Sequence, residues 1–376
     1  MNPRYKRIYC CTPIAFRADE NTFFIRDTGL ISRSIRNMGV ESKVIMPLPY
    51  SDGDLRDEII RTEYKNLESV EWWKSLGIDG LVLYSWGAPR YRKIARAVHK
   101  AGIRLHIHMD TSGLFEGNDW DDLTCIKKIF RLLSTKVRDF FRANHLKNAD
   151  IISSSLPAAN IMCERLFFRG WMRKKINIFP TPVASHFRYL SSSCKERLVV
   201  CVGRWSDDDA DRVKRPEFML NTAREIALAD ERVQVEIYGT IGAGIQKKYD
   251  RFPAELKARI HLKGFIRNGD LPNVYNKAQV SYCSSNSEGT HIASAEAVCC
   301  GCSLVIPPRK SLHVLHWYTS HGSGQVAAED TPESMAQSVV RELDLWESQQ
   351  RNPREISDYW QNVFIVDKAL HRIFEN

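Results

Sequence analysis

No run of apolar residues in this 376-residue chain approaches the roughly 20 needed to cross a bilayer as a helix. The N-terminus, MNPRYKRIYCCTPIAF, carries basic side chains but only a short apolar stretch, which suits a first strand better than a signal peptide. Cysteine is present ten times, at positions 10, 11, 125, 163, 194, 201, 283, 299, 300 and 302, without the spacing of a disulfide framework. A reducing cytoplasm is the expected setting. The cluster Cys299-Cys300-Gly301-Cys302 lacks partner ligands at zinc-like spacing, and Gly301 as the stop of a packed helix explains it better. The aspartates at 207, 208, 209 and 211 lack the glycine and distal glutamate of a calcium loop, so a solvated loop is expected there. No metal site is expected.

What is present is ordinary in bulk and uneven in charge. Apolar residues make up 43% and charged residues 26%, as in soluble globular domains, and the length suits two cores rather than one. A formal net charge of +9 calls for an acidic partner. The segment IKKIFRLLSTKVRDFFRANHLK (126–147) concentrates it, with Ile126, Ile129, Phe130, Leu133, Val137, Phe140 and Phe141 at helical spacing among seven basic residues. Two readings stand level: a basic amphipathic helix resting on an anionic membrane surface, and a domain helix whose apolar face lies in the core. No recognised motif accompanies the charge, so nucleic acid is not the expected partner.

Short apolar runs alternate with amphipathic stretches, the pattern of parallel sheets flanked by helices. Strands are expected at 7–13, 42–47, 80–86, 103–110, 149–155 and 176–183, then at 197–204, 233–239, 259–265, 280–285 and 303–308. Helices are expected near 28–38, 90–101, 122–147, 216–228 and 271–277. The expected class is α/β, with two Rossmann-like domains facing across a cleft. Their bounds are 1–183 and 184–355, followed by a helix over 356–376 that returns to the first domain. In such sheets ligands sit beyond the carboxyl ends of the strands.

The densest chemistry lies at 284–306, SSNSEGTHIASAEAVCCGCSLVI, where Glu288 and Glu296 have seven residues between them. Glu288 follows a Ser/Asn-rich turn and precedes Gly289, and Glu296 lies on the helix that follows. Two carboxylates at a strand-to-helix elbow suit a ligand with several hydroxyls, while the helix start offers N–H groups to an anion. Arg204 at a strand end and Lys214 beyond it could neutralise a diphosphate, one as a fork and one as a point charge.

An ordered series of motifs carries a resemblance. The chain shows Val202-Gly203-Arg204, Lys214-Arg215-Pro216, Tyr238-Gly239, Gly264-Phe265-Ile266, Asp270-Leu271-Pro272, Glu288-Gly289 and Glu296-Ala297. In this order they resemble the donor-binding half of glycosyltransferase family 4, the group 1 glycosyl transferases of the GT-B fold. The linker at 181–187 and the stretch 321–336 are similar to the family's connector and following turn, so the likeness runs over roughly 145–340.

The resemblance implies a retaining, metal-independent glycosyltransferase without a cofactor, using a nucleotide-diphosphate sugar as donor. The acceptor would be a hydroxyl of a glycan or lipid-linked glycan, in the making of cell-surface polysaccharide, lipopolysaccharide or glycolipid. It further implies that Arg204 and Lys214 stabilise the leaving diphosphate, that Glu288 contacts the donor sugar and that Glu296 contacts the ribose. The N–H groups of Gly289, Thr290 and His291 would face the phosphates, with Gly203, Gly239 and Ile266 completing the donor site. In the family a His or Asp near the end of the 103–110 strand touches the transferred sugar, which points to His108 or Asp110. The loop after the first strand departs from the family's paired glycines, keeping only Gly29. Arg17 or Arg26, with Trp86, are instead candidates to read an acidic acceptor. The rival readings are a nucleotide-sugar epimerase of the same architecture and a non-catalytic sugar- or lipid-binding scaffold.

Overall fold

The computed structural model of the chain describes residues 5–85, 90–109, 125–126, 129–130, 133, 144–154, 177–178, 182–207 and 211–365. The chain divides into two compact units, Met1–Ala184 with Val363–Asn376, and Ser185–Asn362.

The first unit holds a seven-stranded parallel sheet. Its strands are β1 (Ile8–Cys11), β2 (Val44–Pro47), β3 (Ile59–Thr62), β4 (Gly80–Ser85), β5 (Arg104–Met109), β6 (Ile151–Ser154) and β7 (Asn177–Ile178), in the order β3-β2-β1-β4-β5-β6-β7. β1, β2 and β4 are buried at every position, as expected where helices cover both faces of a parallel sheet. Helix Tyr91–Lys100 buries Tyr91, Ile94, Ala95 and Val98 at helical spacing, leaving Arg92, Lys93, Arg96 and Lys100 outside. The order reverses between β1 and β4, which makes their carboxyl ends a switch point.

The second unit repeats the plan with six parallel strands. These are β8 (Glu196–Trp205), β9 (Gln234–Ile241), β10 (Ile260–Gly264), β11 (Ala278–Tyr282), β12 (Ser303–Ile306) and β13 (Gly324–Val326), in the order β10-β9-β8-β11-β12-β13. Here the switch point lies between β8 and β11. Helix Pro216–Ala229 joins β8 to β9 and starts on a proline, whose missing N–H costs nothing at a first turn. After the helix Ile292–Cys299, Gly301 takes φ +76°, and the N–H of Cys302 donates to the carbonyl of Ala297 in a Schellman-type stop.

β3 and β13 were not expected from the sequence. Both are sheet edges, and Gly324–Val326 is only three residues long, too short to show a period. Near the C-terminus, the helix Pro353–Phe364 packs on the second unit through Ser357, which donates to the Cys299 carbonyl at 2.6 Å, and Trp360, which donates to Ser323 at 2.6 Å. The chain rejoins the first unit only from Val363, where the Val183 N–H donates to the Phe364 carbonyl.

Most of 126–147 lies outside the described residues, but four of its apolar side chains are described. Ile126, Ile129, Phe130 and Leu133 are 70%, 54%, 71% and 57% exposed. For these four the core-facing reading is corrected: their stripe faces outward. No described helix is long and apolar enough to cross a membrane.

The loop after β1 is pinned from below by a buried pair. The side chains of Asp54 and Arg61 are 1% and 0% exposed, and Asp54 also accepts from the backbone N–H groups of Ala18 and Ser51. Arg61 further donates to the carbonyls of Phe16 and Pro47. Burial alone would raise the Asp54 carboxyl, but the Ser51 and Ala18 N–H groups and Arg61 outweigh it and hold it below its ordinary value. Its stabilisation is therefore full above the ordinary carboxylate range and is lost as pH falls through the lowered folded value. Arg61→Ala should cost about 3–5 kcal/mol in urea unfolding at neutral pH. The difference from wild type should shrink below about pH 4, as Asp54 protonates. A pH-independent difference would show that the ion pair is not its source.

Candidate functional site

At the second switch point the loops leaving β8 and β11 part and then bind each other. The N–H of Asn286 donates to the Val213 carbonyl at 2.7 Å, and the Ser284 hydroxyl donates to the Lys214 carbonyl at 2.8 Å. Between them Lys214 Nζ meets Glu288 Oε1 at 2.5 Å, with side chains only 16% and 12% exposed. The Ser285 hydroxyl donates to the same carboxylate oxygen at 2.6 Å. Two residues expected at a phosphate and a sugar thus lie in direct contact. An ammonium carries three donors, and Glu288 engages one, so the pairing does not use up Lys214.

Burial pushes the Glu288 carboxyl up, but the charges of His291 and Lys214 and hydrogen bonds from Lys214 and Ser285 hold it below its usual range. Burial also pushes the His291 imidazole down to about 4, so it is neutral at physiological pH and Lys214 is the cation facing Glu288 there. An ionised Glu288 can accept hydroxyl donors but has no proton to give.

His291 opens the helix Ile292–Cys299 from a left-handed backbone, φ 42°, with no side chain capping the helix start. Gly289 and Thr290 precede it directly, Thr290 being buried with its carbonyl accepting from Tyr318 Oη at 3.0 Å. The residues expected to present N–H groups therefore stand at the head of an uncapped helix, where the macrodipole favours an anion. Glu296, a turn further on, is 6% exposed and accepts from Asn268 Nδ2 at 3.2 Å, across from the loop after β10. Ile266 is half-buried in that loop.

Glycines bare the ends of β8 and β9. Gly203 and Gly239 are register partners, and a Cβ on Gly239, where φ is +126°, would lie 1.7 Å from the Gly203 carbonyl oxygen. No L side chain fits there, which leaves backbone at the strand ends open to close approach. Arg204 follows on β8, exposed, its side chain without a hydrogen bond or ion pair to the described residues.

One residue of this site was not singled out by its sequence. Arg215, also left-handed at φ 49°, donates through Nε to the Ser284 carbonyl at 2.7 Å and through both terminal nitrogens to Asp330 at 2.9 and 2.8 Å. Arg309 donates to the same Asp330. This Arg–Asp–Arg knot ties together the segments that follow β8, β11, β12 and β13.

In the first unit, His106 Nε2 and His108 Nδ1 share the Ser153 hydroxyl at 2.7 and 3.0 Å, and both rings are buried. Burial pushes them to about 3 and about 4, so they are neutral cross-strand links. The expected sugar-facing role of His108 is corrected: its ring, 0% exposed, touches Ser153 and Tyr84 instead. Asp110 and Trp86 lie outside the described residues. Arg17 and Arg26 are 64% and 57% exposed and pair with Asp19 and Asp27.

Two Rossmann-like α/β units, the second with an anion-suited crevice at its switch point, define the GT-B fold class. Residues 196–344 match the family described as Glycosyl transferases group 1. No curated protein matches the chain by sequence. Among solved structures, Anabaena HepE in complex with UDP aligns with a TM-score of 0.64 and 11% identity over 98% of this chain and 99% of that one. Sucrose-phosphate synthase from Thermosynechococcus elongatus aligns at 0.63 and 13%, over 98% of each chain. The lipopolysaccharide outer core galactosyltransferase WaaB aligns at 0.63 and 14%, over 98% of this chain and 99% of that one. At such identities the likeness is one of fold.

Arg215→Met would leave Asp330 to Arg309 alone and the Ser284 carbonyl without its charged donor. The expected cost is about 1–3 kcal/mol in thermal or urea unfolding. An unchanged unfolding midpoint would show that the knot does not hold these loops.

Proposed function

We propose that the protein is a retaining glycosyltransferase. It moves a sugar from a nucleotide-diphosphate donor to a hydroxyl of a glycan or lipid-linked glycan, in the making of cell-surface polysaccharide, lipopolysaccharide or glycolipid. The observation that carries this reading is the Lys214–Glu288 contact beside an uncapped helix head, within the residues that match group 1. That arrangement joins positive charge for a diphosphate to a carboxylate for sugar hydroxyls. HepE, of the same fold, has been crystallised with UDP, and WaaB is a lipopolysaccharide galactosyltransferase, which supports the donor and acceptor classes.

In this reading the bond from the sugar C1 to the diphosphate oxygen breaks as Arg204, Lys214 and the N–H groups of 289–291 take up the developing charge. The acceptor oxygen bonds to C1 on the same face, and its proton passes to the leaving phosphate oxygen. Glu288 accepts from hydroxyls of the transferred sugar and Glu296 from the ribose. No covalent carboxylate intermediate and no metal are required, since Arg204 and Lys214 supply the cationic charge.

Arg204→Ala and Lys214→Ala should each lower turnover about a hundred- to a thousandfold, the scale of losing one charge-stabilising donor. Arg204→Ala should melt near wild type, whereas Lys214→Ala, which strands the Glu288 carboxylate, should melt lower. Wild-type turnover in either variant would sink the phosphate assignment. Nucleotide-sugar epimerases can share the architecture, so sugar nucleotides should also be incubated without acceptor. Release of an isomerised nucleotide sugar would replace transfer with epimerisation.

The outward stripe of Ile126, Ile129, Phe130 and Leu133, in a segment rich in lysine and arginine, supports peripheral contact with an anionic membrane face. Replacing all four with serine should abolish co-sedimentation with phosphatidylglycerol vesicles. A wild-type protein that stays in the supernatant would remove the membrane from this reading.

A further inference from the structure

The first unit has a crevice of its own at its switch point. Beyond Cys11, at the end of β1, a cleft of about 500 Å³ is lined by Thr12, Phe16, Arg17, Arg26, Asp27 and Thr28 among others. Helix Asp27–Asn37 starts on this cleft with no side chain capping it at Arg26. Thr12 supplies an independent observation. It is 0% exposed, lines the cleft, and its hydroxyl makes no hydrogen bond. Leaving a buried hydroxyl without a partner is unfavourable, so a polar ligand atom reaching it is favoured.

The other lining groups narrow the ligand class. Phe16 is 41% exposed and offers a flat apolar face to a sugar ring. Asp27 is held in a left-handed backbone at φ 48°, and its carboxylate accepts from Tyr84 Oη at 3.2 Å and Arg26 Nε at 2.7 Å. It presents an acceptor for sugar hydroxyls. Arg17 and Arg26 set two guanidiniums against that one carboxylate, with Asp19 at 3.5 Å from Arg17 Nε just outside the lining. The cleft is built rather than incidental. The Asp54–Arg61 pair fixes residues 16 and 18, and a Cβ on Gly29 would lie 2.5 Å from the Phe23 carbonyl oxygen, so loop and helix start touch directly.

We propose that this cleft binds an anionic sugar of the acceptor. Its carboxylate or phosphate is held by Arg17, Arg26 and the helix start, its ring lies against Phe16, and a polar atom reaches Thr12. This rests on the transferase reading above and adds the acceptor's chemical class.

The test is ligand-observed NMR titration of the full chain with glucuronic acid, glucose 6-phosphate and glucose. At least one anionic sugar should bind about tenfold or more tightly than glucose, and which one does so separates carboxylate from phosphate. Arg17→Ala with Arg26→Ala should remove that preference, and Thr12→Val should weaken binding of the same sugar, with melting curves checking that both variants fold. Glucose binding as tightly as the anionic sugars, no binding by either anionic sugar, or unchanged binding in the double variant would each overturn the proposal. A UDP titration of the wild type separates the two readings. Failure to bind UDP counts against the transferase, whereas UDP binding without anionic-sugar binding counts against this cleft alone.

Discussion

The contact between Lys214 and Glu288 is the constraint from which the second unit's crevice follows. Sheet order forces the loops after β8 and β11 apart, and a crevice with loose walls would hold no ligand in register. One charge from each wall closes it, and neither could be removed without leaving the other stranded out of water. The surrounding bonds keep that contact in place. Ser285 adds a hydroxyl to the carboxylate, Ser284 holds the lysine's own carbonyl, and Arg215 holds Ser284 while gripping Asp330. The pair thus does two things at once: it fixes the walls, and it keeps Glu288 ionised and Lys214 aimed inward.

Much of this was legible because its signals are local. Strands buried on both faces read as apolar runs, and the elbow at Glu288-Gly289 announces itself by turn residues before a helix. The sequence also pointed to Gly239, where the structure shows a carbonyl in the place of any side chain. The rest depended on distance along the chain. Arg215 and Asp330 lie 115 positions apart, and nothing near either residue declares the other. β13 is too short for a period, and β3 is an edge strand between loops.

His108 shows the opposite failure. Alternation correctly put His106 and His108 on one face of β5, but a strand has two faces and both can be buried. Here that face meets Ser153 on β6, and one hydroxyl serves both rings. Histidine on a central strand of a sheet covered on both sides is a core residue first. Only its burial, which the sequence does not state, separates that role from a ligand's.

The two units repeat a plan but not a chemistry. Among the described residues, five non-glycine residues take positive φ, and three of them, Asp27, Arg215 and His291, stand at the heads of helices that follow the switch-point strands. A left-handed residue of this kind costs on the order of 1–2 kcal/mol and persists where the surroundings over-determine it. At Asp27 and His291 it stands where the chain enters the helix, and at Arg215 it links the short helix Asp211–Lys214 to the helix Pro216–Ala229. The side chains then set what each crevice can take. In the second unit glycines bare the strand ends and a lysine stands beside a carboxylate, which suits a diphosphate on a polyol. In the first unit the strand end carries a threonine, and Gly29 at the helix start is consumed by packing against the Phe23 carbonyl. Longer side chains therefore join the helix start in lining that crevice, and in this chain they include the arginines Arg17 and Arg26.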